Sequence, residues 1–232
     1  SSEKSFQRNY PYGAFAAAVL GFTDADGIGT YGLEKSYQST LAGVDGRTIT
    51  KRNAYNNAIA DENATTFAAK DGSNLVLSLD VNVQEIVERY LNEAIAANTV
   101  ENRGCAIVMN VKTGAILAMA SKPDFDPNTI SSDWNTLIND ETNSSLLNRA
   151  TMGQYPPGST FKIVTALSYF RSKGSFNGFS FDCQGSITKE GHTIQCYNGA
   201  VHGQEDFYSA FAHSCNCAFA DMGLGLGGSS LR

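Results

Sequence analysis

"YPPGSTFKIVTALSYF", residues Tyr155 to Phe170, decides how this chain is read. It sets Ser159 and Lys162 three residues apart at the head of an apolar run, behind Pro157-Gly158. Phe161 to Phe170 is apolar enough to predict a helix buried on all sides, with Gly174 as its stop. On a helix, residues three apart are neighbours, with Cβ atoms ~5–6 Å apart. A serine hydroxyl is a poor nucleophile until a base takes its proton, and lysine serves only where burial or nearby charge lowers its pKa. The free amides at the helix start, that of Ser159 included, would suit an oxyanion. In the competing reading Ser159 caps the helix and Lys162 reaches solvent along its stem. From these four residues alone, that reading carries more weight.

The same spacing occurs at Ser1/Lys4 and Ser186/Lys189. Ser1/Lys4 sits at a chain end prone to fray. Ser186 and Lys189 fall on a predicted strand, where residues three apart point to opposite faces. Only Ser159/Lys162 keeps its chemistry. Ser-x-Asn also occurs twice. Ser175-Phe176-Asn177 precedes a glycine and reads as a turn, whereas Ser214-Cys215-Asn216 lies between two helical stretches, Glu205 to His213 and Cys217 to Leu224. A loop there could aim both side chains into a cleft, or could simply cap a helix.

The remaining pattern is α+β. Residues 1 to about 70 are rich in Gly, Asn, Thr and Ala and predict a small β-rich module with one short helix near Leu33 to Leu41. Ser73 to Asp80 predicts a strand, and Asp80 an N-cap for an amphipathic helix carrying Val83, Ile86, Val87, Tyr90, Leu91 and Ile95. Ala106 to Val111 and Ala115 to Ala120 flank Lys112-Thr113-Gly114 and predict a buried hairpin. Residues 124 to 154 read as loop. Phe179 to Gly199 predicts a second hairpin turning at Glu190-Gly191.

The chain has 232 residues and a formal net charge of −6 with no run of like charges, which argues against nucleic acid and anionic membrane as partners. No apolar stretch reaches the ~18 residues of a membrane span, and Gly13 to Phe22 is too short, so any export signal or anchor is expected upstream. The five cysteines are Cys105, Cys183, Cys196, Cys215 and Cys217, with His192, His202 and His213 among the last four. No pair has the C-x2-C or H-x3-5-H spacing of a structural zinc site, so no metal and no cofactor is expected. In the predicted hairpin Cys183 faces Asn198 and Cys196 faces Gly185. The two cysteines are thus diagonal, and a register shift would allow a disulfide, with Cys196–Cys215 as the alternative.

"YPPGSTFK" followed by "SCN" resembles the penicilloyl serine transferases, in which Ser-x-x-Lys, Ser-x-Asn and a Lys-Thr-Gly strand build one site. "RNYPYGAFAAAVLGF", "GTYGLEKSYQSTLAGVDG", "LSLDVNVQEIVERYL", "AIVMNVKTGAILAMASKPDFDPN" and "LNRAT" are similar, in order, to the class B penicillin-binding proteins. The resemblance implies a pedestal segment over residues 1–72 and the first part of a D,D-transpeptidase domain over residues 73–232. It implies Ser159 as acylated nucleophile, Lys162 as its base, Ser214 as proton relay and Asn216 as the group binding the substrate's amide. It further implies peptidoglycan stem peptides ending in D-Ala-D-Ala as donors, β-lactams as inhibitors and no cofactor. The location would be the extracytoplasmic face of the bacterial membrane, with an upstream transmembrane anchor and a polytopic glycosyltransferase partner. Lys112-Thr113-Gly114 lies upstream of the serine and reads as a turn, so the third motif is expected beyond Arg232 and the cleft is expected to be unfinished. The rivals are a β-lactam sensor or serine β-lactamase of the same fold, or a non-catalytic cell-wall binding module.

Overall fold

Among the described residues the N-terminal segment contains more short helix than strand, where a β-rich module was expected. It holds α1 (Ala17–Leu20), α2 (Gly32–Ser36), α3 (Gln38–Leu41) and one small antiparallel pair, β1 (Arg47–Ile49) with β2 (Thr65–Phe67). The reason is local: glycines such as Gly21, at φ 78° with its α-hydrogen side against the Tyr31 carbonyl, fold the chain back before a strand can lengthen. The structure is a computed structural model and describes residues 8–49, 55, 65–98 and 102–229; Ser1/Lys4 lies outside them. The chain divides into two compact units, Ser1–Gln154 and Tyr155–Arg232.

In the first unit Asp80 caps α4 (Val81–Ala97), accepting from the amides of Asn82 and Val83. The predicted strand before it does not join a ladder. Residues 73–80 form no strand; the Asp80 amide donates to the Leu117 carbonyl, the Ser78 hydroxyl to that of Ile116, and the Ser73 amide to that of Thr40. The hairpin β3 (Gly104–Met109) with β4 (Ile116–Lys122) forms as predicted, around a turn in which the Asn110 side chain accepts from the Lys112 and Thr113 amides. Lys112-Thr113-Gly114 is therefore a turn. Burial is one-sided, however: β4 is covered, while Ile107 and Met109 of β3 are exposed. Gln84 of α4, fully buried, fastens the helix to β4, since its amide donates to the Met119 carbonyl and accepts from the Met119 amide. The predicted loop at 124–154 contains α5 (Ile130–Ile138), entered by a 3-10 turn that Asp126 caps. Ile130 packs with Ala17, Phe22 and Phe125, against Tyr31 and Leu137.

In the second unit a 3-10 turn, Gly158–Phe161, leads into α6 (Lys162–Lys173), which stops at left-handed Gly174 as predicted. The helix is not buried all round. Thr165 and Ala166 are buried, but Phe161, Ile163, Leu167 and Phe170 present an exposed apolar face. The second hairpin is shorter than predicted. β6 (Ser186–Lys189) pairs with β7 (His192–Gln195) about Glu190-Gly191, but β5 (Ser180–Cys183) pairs with β8 (Gly203–Asp206) instead. Cys183 is thus opposite Gly203 rather than Asn198. Gly185, at φ 85° with the Gly199 carbonyl 2.5 Å from where a Cβ would stand, turns the chain between the two pairs. Asp206 and Ser209 form a capping box for α7 (Phe207–Ala212), and Cys215 caps α8 (Asn216–Leu226). Ala166, Phe207, Ala210, Phe219, Met222 and four cysteines make the core of this unit. No helix among the described residues is long and apolar enough to cross a membrane.

Candidate active site

Ser159 stands in the 3-10 turn and Lys162 opens α6, so both project from one end of that helix. Ser214 and Asn216 flank Cys215 in the turn from α7 to α8. The turn is tight enough to hold Ser214 at φ 53°, a left-handed conformation uncommon for a serine. The α7 C-terminus holds it there, with the Ser214 amide donating to the Phe211 carbonyl and that of Cys215 to Ala210.

The structure brings all four predicted residues together. Lys162 Nζ lies 3.2 Å from Ser159 Oγ, 2.8 Å from Ser214 Oγ, and 2.6 Å from both the Ser214 carbonyl and Asn216 Oδ1. Ser214 Oγ donates to Ser159 Oγ at 3.0 Å. Ser159 and Ser214 are exposed and Lys162 and Asn216 half-buried, so the hydroxyls face solvent while the amine is partly withdrawn. Burial lowers the Lys162 pKa from its ordinary value, against the opposing charge of the Cys196 and Cys215 sulfurs.

The donor count matters here. A neutral amine has two N–H groups and one lone pair. If the two shortest contacts, to the Ser214 carbonyl and Asn216 Oδ1, take the N–H groups, the lone pair is left for a serine hydroxyl. The arrangement can therefore accept the Ser159 proton and pass it to Ser214, the geometry of an activated nucleophile with a relay.

Two contributors were not singled out from sequence. The Asn216 amide donates to the Gln195 carbonyl at 2.8 Å, which fixes its oxygen toward Lys162. The Phe219 ring lies 5.8 Å from Lys162 Nζ. Phe219 was legible as the residue one helical turn from Asn216; Gln195 acts through its backbone and left no sequence signal. The other candidates separate: Ser186 and Lys189 lie on β6, with Lys189 paired to Asp221, and the backbone amide of Asn177 donates to Ser175 Oγ in a turn.

Behind Ser214-Cys215-Asn216 the sulfurs of Cys183 and Cys196 are 3.7 Å apart, as are those of Cys196 and Cys215, and all five cysteines are free thiols. These distances exceed the ~2.0 Å of a disulfide. Burial pushes the Cys215 and Cys217 thiols up to about 12. At Cys183 burial acts in the same direction but is outweighed, chiefly by the His202 and Gly185 backbone amides, and its thiol falls to about 6.

The model of the penicillin binding protein transpeptidase domain matches residues 104–232, and that of the penicillin-binding protein dimerisation domain matches residues 1–77. This chain belongs to the class B penicillin-binding proteins. It is 34% identical over 221 residues to stage V sporulation protein D of Bacillus subtilis, covering 95% of this chain and 33% of that protein. It is 37% identical over 164 residues to the peptidoglycan D,D-transpeptidase FtsI of Escherichia coli, covering 69% of this chain and 26% of that one. The D,D-transpeptidase domain of a peptidoglycan glycosyltransferase from Eggerthella lenta superposes with a TM-score of 0.76 at 27% identity, over 98% of this chain and 46% of that chain. The α+β fold is thus that of penicillin-binding transpeptidases, and this member spans about a third or less of the length of these curated relatives.

Proposed function

We propose that this chain carries the acylation centre of a peptidoglycan D,D-transpeptidase. The observation that supports this most directly is Lys162 Nζ held within hydrogen-bond distance of both hydroxyls, Ser159 Oγ and Ser214 Oγ. Neutral Lys162 takes the Ser159 proton as Oγ attacks the carbonyl of the penultimate D-Ala of a stem peptide. The amide of Ser159, in the 3-10 turn that leads into α6, faces the developing oxyanion. Ser214 relays the proton to the departing D-Ala nitrogen, the peptide bond breaks, and the acyl group stays on Ser159. An amine of a second stem then takes the acyl group, and the proton returns along the same path. Asn216 binds the donor's amide. A β-lactam follows the first half of this course and remains attached.

On this reading residues 1–72 belong to a non-catalytic pedestal and residues 73–232 to the transpeptidase domain. The protein works on the extracytoplasmic face of the membrane, anchored upstream, beside a polytopic glycosyltransferase. The family names of its relatives support cell-wall synthesis as the setting.

Labelling with a fluorescent penicillin, followed by peptide mapping, tests the assignment. One adduct on Ser159, absent from Ser159→Ala and slow to hydrolyse, is expected. An adduct on Ser186, or labelling that survives Ser159→Ala, would overturn it. Fast hydrolysis of the adduct would make the protein a β-lactamase instead.

A further inference from the structure

The sequence spacing gave no reason to expect a metal, because it looks for ligands on one loop. In the folded chain the ligands come from four places: the end of β5, the residue after β7, the approach to β8 and the cap of α8. Cys183 Sγ, Cys196 Sγ, Cys215 Sγ and a ring nitrogen of His202 all lie within 4.8 Å of one another. The three cysteines are 0%, 3% and 0% exposed.

The separations resemble the edges of a coordination tetrahedron. With Zn–S of ~2.3 Å and Zn–N of ~2.0–2.1 Å, tetrahedral angles put sulfurs ~3.8 Å apart and sulfur and nitrogen ~3.6 Å apart. The observed Cys183–Cys196 and Cys196–Cys215 distances are 3.7 Å each, and Cys183 Sγ to His202 Nδ1 is 3.5 Å. A purely apolar core would have no use for an imidazole nitrogen aimed at three buried thiols.

We propose that Cys183, Cys196, Cys215 and His202 bind one zinc-class divalent ion in a closed tetrahedral site. Binding exchanges three thiol protons for the ion, which leaves the protein as M(S)3(N) with the protons released to solvent and no change of oxidation state. Two surroundings suit it. Cys215 Sγ accepts the Ala218 amide at the N-terminus of α8, which fixes the position of this sulfur. His202 stacks on His213, which pairs through Nδ1 with Glu205, a 1% exposed carboxylate whose Oε2 has no partner among the described residues. That buried negative charge stands on the His202 side of the site. Cys217, 3.5 Å from Cys196 and donating to the Ile194 carbonyl, stays outside the set.

The ion ties Cys215 to Cys196. Cys215 sits between Ser214 and Asn216, and Cys196 follows Gln195, whose carbonyl holds the Asn216 amide. The ion therefore clamps the turn that faces Lys162, a consequence that rests on the function proposed above; metal binding itself does not.

The test uses this chain purified under reducing conditions without chelator. Elemental analysis should find one zinc per chain. Cobalt titration of the stripped protein should produce thiolate charge-transfer bands and the strong visible bands of a tetrahedral ion. Cys196→Ser and His202→Ala should lose the metal, and Cys105→Ser, altered at an exposed thiol outside the cluster, should keep it. The cobalt titration needs no variant and stands even if Cys196→Ser fails to fold. Stripped protein that takes up no cobalt while all five thiols titrate as free would overturn the proposal. So would a Cys183–Cys196 or Cys196–Cys215 disulfide in reductively purified, metal-free protein. Zinc retained by His202→Ala but lost by Cys217→Ser would replace the His202 assignment with a four-sulfur site. If metal is bound but neither form acylates, the reading of Ser159 fails and the metal site remains.

Discussion

At the scale of single residues, Lys162 stands within hydrogen-bond distance of four oxygens and decides the chemistry of its neighbours. Removing its amine leaves Ser159 without a base. We expect Lys162→Ala to slow acylation at least ~100-fold while circular dichroism stays unchanged. Lys162→Arg should not restore it, because a guanidinium keeps its proton and cannot accept another. Near-normal labelling of either variant would make Lys162 a structural residue. The sequence already offered Ser159 and Lys162 as a pair, since helical spacing alone makes residues three apart neighbours. It offered Ser214 and Asn216 only as a loop of two polar side chains. Gln195 was out of reach because any residue type has the carbonyl it contributes.

At the scale of elements, α4 and α6 behave differently. Gln84 satisfies both backbone groups of Met119 and donates to Glu88 Oε1 at 2.8 Å, all within a fully buried position. Gln84→Leu should therefore lower unfolding stability by roughly 1–3 kcal/mol in denaturant titration, the cost of buried polar groups left unpaired. An unchanged midpoint would mean that water replaces it. On α6 the exposed apolar face makes the opposite expectation. Leu167→Gln should change stability by no more than about 0.5 kcal/mol, whereas Phe207→Ala, at a ring that is 6% exposed, should cost ~3–5 kcal/mol. Periodicity correctly placed both helices. It misjudged α6 because an all-apolar run states that a helix can be buried, not what covers it. It missed α5 although Ile130, Trp134 and Leu137 recur at helical spacing, because the polar residues between them dominated the reading.

At the scale of the whole molecule, two cores should respond to different perturbations. Lys122, buried in the first unit, is paired with Glu88 at 3.2 Å and with Asp124. Burial pulls its pKa down, but the two carboxylates outweigh this and raise it above 10.5. A lysine pKa raised by folding stabilises the fold below the unfolded value, and that contribution disappears as pH rises through the folded value. Calorimetry of Lys122→Met should show a loss of about 3 kcal/mol at neutral pH that narrows above pH ~10.5. The loss should fall on the transition of residues 1–154. Stripping zinc should move the transition of residues 155–232 instead; a single transition shifted by both would show that the units unfold together.

The sequence by itself determined what depends on near neighbours: the cap at Asp80, the turns at Lys112-Thr113-Gly114 and Glu190-Gly191, the stop at Gly174, and the pairing of Ser159 with Lys162 across the 3-10 turn into α6. These follow from backbone preferences and helical spacing over a few residues, which a sequence displays directly. Only the tertiary structure decided which strand Cys183 joins, that Lys162 reaches Ser214 and Asn216, and that Cys183, Cys196, His202 and Cys215 converge. Each of those contacts closes a loop of many residues, and its geometry depends on how several elements pack at once. Gly185 turns the chain, α7 sets the angle of the Ser214 turn, and the shared core brings the sulfurs within bonding range of a single ion.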